Sequence, residues 1–231
     1  MNDALTEQNV MYKVYAWMCV GLMVTAGSAY GLLLWPKLFG IIFSSKWYFY
    51  GLAALQLGLV IYVSAYINEM RYSTAAFVFM LYSFLMGITL SPIFVIYTAA
   101  SISLTFACTA GMFGTMALYG YYTNTDLTRM GNLLLMALWG LIIASLANWY
   151  FQSSSFEYAL ACIGVLIFTA LTAYDVQKIK QLMRNVEYQG DHAAYDETLN
   201  KVSLLGALVL YLDFVNLFLR LLQLMGKKRN D

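Results

Sequence analysis

The chain has 231 residues, of which 61% are hydrophobic and 11% are charged, and its formal net charge is +1. Soluble domains contain about 45–50% apolar and about 25% charged residues, so this composition excludes an ordinary soluble domain and predicts a membrane protein. The small net charge and the lack of a basic patch interleaved with aromatic residues exclude a nucleic-acid-binding protein.

Apolar runs separated by charged residues predict seven membrane-spanning helices, because a span needs about 20 apolar residues. From Tyr72 to Thr125 the chain carries no charge, which is enough for two spans divided at the polar residues 98–101. Pro92 lies inside the third span and should kink it, because proline lacks a backbone donor and clashes with the preceding turn. The predicted spans cover residues 14–34, 47–67, 74–97, 102–122, 131–150, 156–174 and 202–222.

The N-terminus and the connections predict a single transmembrane domain over residues 1–231. The segment MNDALTEQNVMYK is acidic and polar and lacks the basic region of a cleaved signal peptide, so the first run should remain as a helix. No linker rich in proline and serine divides the chain, and the polar segment 176–200 is expected to place His192 in a loop. We therefore predict an all-α fold, that of a polytopic membrane protein.

The cysteines and the histidine predict no cofactor and no metal site of their own. Cys19, Cys108 and Cys162 fall in three separate apolar runs, which is typical of small residues in membrane helices and not of a disulfide framework. His192 is the one histidine in the sequence, so a catalytic triad or a zinc site built on histidine is not expected.

The distribution of Lys and Arg predicts a cytoplasmic N-terminus, because cytoplasmic connections carry an excess of positive residues. The opposite side has only Lys37 and Lys46 before the tail. The tail residues 227–229 are also positive, so either they lie outside or the last span fails to cross fully, and the sequence leaves both possibilities open. The positive residues on the N-terminal side are Lys13, Arg71, Arg129, Lys178, Lys180, Arg184 and Lys201.

The last predicted span carries polar residues inside its apolar run. Asp213, Asn216 and Arg220 follow the spacing i, i+3 and i+7, which places them on one helix face. An ionised aspartate at mid-bilayer costs roughly 2.5–3.5 kcal/mol even on the lenient insertion scale. Asp213 therefore needs a partner, a water-lined cavity or a proton.

Asp175, at the end of the sixth predicted span, is the candidate partner for Asp213. One interpretation is that Asp175 only marks the membrane boundary, and the other is that the two carboxyl groups meet. Two carboxylates held close together in low dielectric cannot both ionise at low cost, so they can share a proton and respond as a unit to modest changes of pH. Such a pair also suits calcium, because hard divalent cations prefer oxygen ligands.

Three segments resemble the Bax inhibitor-1 family, the transmembrane Bax inhibitor motif proteins. They are GITLSPIF (Gly87–Phe94), TAYDVQKIK (Thr172–Lys180) and LYLDFVNLFLRLLQLMG (Leu210–Gly226), and the motif around Asp213 is the most specific of them. The resemblance extends from the first span to the last. The chain is similar to bacterial members in its length and short termini.

This resemblance implies a seven-helix fold with the last helix central and enclosed by the other six. It also implies a pH-sensitive calcium leak in a bacterial inner membrane, with a paired-aspartate proton sensor that matches Asp175 and Asp213. Eukaryotic relatives suppress cell death and lower stored calcium. Some bacterial relatives are associated with a membrane protease and the secretion channel, which are the partners implied besides the lipid bilayer.

The chain departs from the family at the group that holds the sensor. Relatives are expected to use an arginine near the end of the second span, whereas Ile67 or Asn68 stands near that position here and the nearest arginine is Arg71. Either Arg71 reaches in from the next turn or the protein lacks this lock. Asn216 and Arg220 are the other possible partners, although Arg220 also suits snorkelling towards the headgroups.

These motifs favour a cation-conducting membrane protein over an enzyme. Tyr174-Asp175 matches one half of the motif of intramembrane aspartyl proteases, but the other half needs a Gly-x-Gly-Asp run, whereas Asp213 follows Leu210-Tyr211-Leu212. A regulatory membrane scaffold without conduction stays open as the alternative, since the polar stripe can also serve structure alone.

Overall fold

A computed structural model of the protein describes residues 2–67, 69–186 and 192–229. Within these ranges the secondary structure consists of nine helices without a strand, which confirms the all-α prediction. The helices are α1 (Asn2–Leu33), α2 (Pro36–Ser44), α3 (Lys46–Tyr66), α4 (Tyr72–Leu90), α5 (Ile93–Ile96), α6 (Ala99–Tyr122), α7 (Thr128–Phe151), α8 (Ser154–Arg184) and α9 (His192–Met225).

Seven helical stretches of the described chain are long and apolar enough to cross a membrane. This number confirms the polytopic membrane fold. The stretches are Glu7–Leu33, Trp47–Tyr66, Tyr72–Ile96, Ala99–Tyr122, Thr128–Phe151, Ser154–Arg184 and Ala194–Met225.

Several helices continue beyond the apolar runs that define the predicted spans. The polar N-terminus is helical from Asn2, and α8 continues past residue 174 to Arg184. The prediction of a loop at His192 is wrong, since this residue begins α9, while residues 187–191 of the predicted polar segment lie outside the described ranges. The backbone hydrogen bonds of a helix do not require apolar side chains, so a helix can continue outside the membrane. The hydropathy of the sequence therefore marks the ends of the span and not the ends of the helix.

Pro92 interrupts the third span more strongly than the predicted kink. The helix α4 ends at Leu90, and a separate short helix α5 begins at Ile93. At the break the Ser91 N–H donates to the Ile88 carbonyl at 3.3 Å. Proline has no N–H to continue the ladder, which explains why the helix restarts after it.

The last helix is the most enclosed of the seven spans. In its most apolar window 61% of the residues are buried, against 50% for Ser154–Arg184 and 11–28% for the other five. The central position that the family resemblance implies for the last span stays a prediction.

The chain packs as two compact units. One unit comprises Met1–Val95 and Leu182–Tyr211, and the other comprises Ile96–Gln181 and Leu212–Asp231. The single transmembrane domain over residues 1–231 stays a prediction.

The first unit is built on close packing between α1 and α4 and a buried hydrogen bond to α9. A side chain at Gly87 would collide with the backbone of Thr25, so glycine is required for this approach. The hydroxyl groups of Thr25 and Tyr211 are 2.6 Å apart, and Thr25 also bonds the Ser83 carbonyl at 2.9 Å. The ring of Phe79 meets that of Tyr211 edge-on at 5.9 Å. These contacts hold the N-terminal half of α9 in register with α1.

In the second unit, the C-terminal tail pairs with the connection between the third and fourth spans. The Thr98 N–H donates to the Lys227 carbonyl at 3.1 Å, and the Arg229 N–H donates to the Ile96 carbonyl at 2.8 Å. The pairing places the tail beside the connection that follows the third candidate span. Full crossing of the last span stays a prediction.

Candidate functional site

The structure brings Asp175 of α8 and Asp213 of α9 together within the second unit. Their carboxyl groups lie within hydrogen-bonding reach of each other. Asp213 is only 6% exposed, whereas Asp175 is half-buried. The Oδ2 atom of Asp213 is buried and has no hydrogen-bond partner in the described part of the chain. A buried acceptor of this kind needs an explanation, and a shared proton or a passing cation would satisfy it.

Asp175 lies on a stretch of α8 that neighbouring elements hold from several sides. A side chain at Gly120 of α6 would overlap the backbone of Ala173, and one at Gly131 of α7 would overlap the ring of Tyr174. The two glycines thus allow α6 and α7 to approach α8 beside Asp175. This packing restricts the α8 backbone next to Asp175, and thereby the position of the Asp175 carboxyl group.

Gln177 ties the same stretch of α8 to the connection between α6 and α7. Its Oε1 accepts from the Leu127 N–H at 2.9 Å, and its Nε2 donates to the Thr125 carbonyl at 2.8 Å. Gln177 is 8% exposed and Leu127 is 1% exposed, so the hydrogen bond between them is buried, while the one to Thr125 is partly buried. Together with the glycine contacts they give Asp175 a defined position.

The positive group that acts on the pair comes from α8 itself. Lys178 follows Asp175 by one helical turn, is exposed, and attracts its carboxylate. Its Nζ lies 5.7 Å from the centre of the Tyr174 ring. Because solvent screens an exposed charge, Lys178 offsets only part of the repulsion between the two acids.

For the other predicted partners the structure records different contacts or an exposed position. Arg71 is exposed in the first unit, where its backbone caps α4. Asn216 Nδ2 donates to the Leu212 carbonyl of its own helix at 2.9 Å, and Arg220 Nη1 donates to Gln223 Oε1 at 3.2 Å. Of the two residues near the family's arginine position, Ile67 is buried and Asn68 lies outside the described residues.

The pair by itself offers fewer oxygen ligands than a resident calcium ion needs. The described residues contain no cluster of three or more His, Cys, Asp or Glu side chains that could hold a metal. Calcium takes six to eight oxygen ligands, so two carboxylates would have to be supplemented by water or backbone carbonyls. A calcium ion bound by Asp175 and Asp213 alone would keep most of its ligand shell as water.

Sequence reasoning missed the groups that position the pair. Gln177 was inside the family-like segment Thr172–Lys180, but its partners Thr125 and Leu127 are far away in the sequence. Gly120 and Gly131 carry no local signal that separates them from glycines with empty surroundings, such as Gly114. Only the packing of the helices identifies them.

Comparison with known proteins gives a match over nearly the whole chain. The family model described as "Inhibitor of apoptosis-promoting Bax1" matches residues 7–230. The inner membrane protein YbhL of Escherichia coli (strain K12) is 46% identical over 222 residues, which cover 96% of this chain and 93% of that protein. A Borreliella burgdorferi protein named as uncharacterized is 44% identical over 231 residues, which cover 99% of this chain and 96% of that protein. The uncharacterized protein RP147 of Rickettsia prowazekii is 38% identical over 222 residues, with 95% and 90% covered.

Proposed function

Since the chain belongs to the Bax inhibitor-1 family, as its motifs predicted, we propose that it is a pH-sensitive leak for calcium or related cations. The observation that carries this proposal is the meeting of Asp175 and Asp213 on two membrane-spanning helices. We place the protein in a bacterial inner membrane with its N-terminus in the cytoplasm. The name of the YbhL relative and the distribution of positive residues support this placement.

The proposed gate is the proton shared by the two acids. With one proton, the pair carries a single charge and a hydrogen bond can join α8 to α9. Without this proton, two negative charges lie side by side in a low dielectric. Their repulsion is therefore strong, whereas in bulk water it would be largely screened. We therefore expect the helices to separate and cations to be attracted as pH rises through the titration of the pair.

The test is calcium flux into liposomes that contain the purified full-length protein, measured in steps of pH. Wild type should conduct more as pH rises, whereas Asp175→Asn and Asp213→Asn should each lose this dependence, because an amide cannot ionise. Unchanged flux and an unchanged pH profile in Asp213→Asn would contradict the mechanism.

Asp126→Asn is the matched control for these variants. Asp126 is exposed, and its Oδ1 accepts from the Thr128 N–H at 2.9 Å. Hydrogen bonds from Thr128 lower the pKa of Asp126, so this acid stays ionised over the pH range of the assay. The control should therefore conduct like wild type.

A wild-type protein that conducts calcium at no pH would instead favour the alternative function. This alternative is a regulatory scaffold that binds a membrane protease or the secretion channel.

A further inference from the structure

A polar cleft of about 390 Å³ opens in the second unit, near the ends of the fifth and last spans and the start of the sixth. The cleft is lined by groups of opposite charge, Arg220 and Glu157, together with polar side chains that include Ser145 and Gln223. Its volume falls in the range of small-molecule sites, about 300–1,000 Å³.

The packing of α8 directs Arg220 into this cleft. A Cβ atom at Gly164 would lie 3.0 Å from the Cγ, Cδ and Nε atoms of Arg220, so the arginine stem runs along the space that glycine leaves open. The guanidinium group then donates to Gln223 Oε1 at 3.2 Å. A guanidinium group has five donors, so several of them remain available to a ligand after this bond.

Glu157 provides the opposite charge across the cleft. It lies in the first turn of α8 and attracts Arg220 electrostatically. Among the described residues, no direct ion pair joins these two side chains. The hydroxyl oxygen of Ser145, which also lines the cleft, is buried and has no hydrogen-bond partner in the described part of the chain. The cleft thus presents a cation, an anion and an unsatisfied hydroxyl group.

The surroundings of the cleft are typical of the headgroup region of a membrane. Trp149, Tyr150 and Phe151 end α7 beside it and are 71%, 83% and 71% exposed. Exposed aromatic residues at the end of a span usually lie at the membrane interface. A ligand from the lipid headgroups can therefore reach the cleft directly.

We propose that this cleft binds a phosphoethanolamine group, with its phosphate on Arg220 and its ammonium group on Glu157. Planar guanidinium groups bind phosphate through charge-assisted, often bidentate hydrogen bonds, and the carboxylate balances the ammonium charge. The group can come from phosphatidylethanolamine in the bilayer or from soluble phosphoethanolamine. This binding is separate from cation conduction and needs no titration of the aspartate pair.

The test measures binding to the purified full-length protein in detergent by native mass spectrometry, and stabilisation of the protein by thermal melting. Phosphatidylethanolamine should bind about tenfold more tightly than phosphatidylglycerol with the same acyl chains, because the latter lacks the cationic group. In a second arm of the experiment, the same measurements are made with soluble O-phosphoethanolamine in place of the lipid. Binding in both arms means that the headgroup suffices, whereas binding of the lipid alone assigns the site to the bilayer, and each result supports the proposal.

Variants separate this site from general attraction to a charged surface. Arg220→Gln and Glu157→Gln should each weaken phosphatidylethanolamine binding about tenfold, and Arg220→Lys should weaken it less because lysine keeps the charge but loses the planar fork. Lys228→Gln is the control, since Lys228 is an exposed cation of the C-terminal tail. Equal binding of the two lipids, or unchanged binding in both Arg220→Gln and Glu157→Gln, would overturn the proposal. The melting curve without ligand shows that each variant is folded.

Discussion

At the scale of single residues, the buried carboxyl group of Asp213 is the most costly feature of the last span. An isolated carboxylate at this depth would be costly, and its Oδ2 atom finds no hydrogen-bond donor among the described residues. The neighbouring Asp175 carries no opposite charge, and in the proposed mechanism it relieves this cost by sharing a proton. The residues that position Asp175, above all Gln177, therefore matter as much as the two acids.

Gln177→Ala should destabilise the protein by about 1–3 kcal/mol, because the buried N–H of Leu127 loses its acceptor. We expect a lower melting temperature in detergent and a shifted pH profile of calcium flux, since Asp175 is two residues away. Thr115→Ala is the control. Thr115 is exposed and bonds the carbonyl of Gly111 in its own helix at 2.7 Å, so its removal should change neither measurement.

At the scale of elements, the approach of α6 to α8 depends on one glycine. The helix α6 contains three glycines, and their surroundings differ sharply. At Gly120 a Cβ atom would collide with the Ala173 backbone, whereas at Gly111 and Gly114 nothing lies within 4 Å. Glycine is therefore required for close helix packing at position 120, whereas at positions 111 and 114 no neighbouring atom requires it.

Gly120→Ala and Gly114→Ala form a matched pair within this helix. Gly120→Ala should cost about 1–3 kcal/mol or more, because the added methyl group meets backbone that cannot move aside easily. Gly114→Ala should be neutral or stabilise by up to about 1 kcal/mol, because alanine favours the helix and the space is open. Melting in detergent measures both. Equal effects of the two substitutions would contradict the packing of α6 on α8.

At the scale of the whole molecule, the seven candidate spans of the described residues predict that the two ends of the chain lie on opposite sides of the membrane. The backbone hydrogen bonds between the tail and residues 96–98 support this parity, because both segments then lie on one side. The positive tail is an exception to the usual bias of Lys and Arg. Its backbone pairing holds it in place regardless of that bias.

This topology predicts the labelling of single cysteines in a variant in which Cys19, Cys108 and Cys162 are replaced by serine. In intact cells, Lys228→Cys should react with a membrane-impermeant maleimide. Arg129→Cys, an exposed position in the first turn of the fifth span, should react only after the membrane is permeabilised. Protection of Lys228→Cys in intact cells would show that the last span does not cross.

The sequence by itself determined the membrane class, the seven spans, the family and the two candidate acids. Each of these depends on local composition or on a short motif, since an apolar run of sufficient length enters a membrane whatever its neighbours are. The helix ends at Asn2 and Arg184 were not predictable in this way, because polar residues continue a helix outside the bilayer without an apolar signal.

Only the tertiary structure decided which groups meet. It joined Asp175 to Asp213, tied Gln177 to the connection before α7, and turned Arg220 along Gly164 into a polar cleft. In each case the partner lies on another element, tens of residues away in the chain. Such contacts depend on how the elements pack against each other. A glycine or a buried hydrogen bond determines the distance between two elements, and a local sequence pattern does not show which elements will meet.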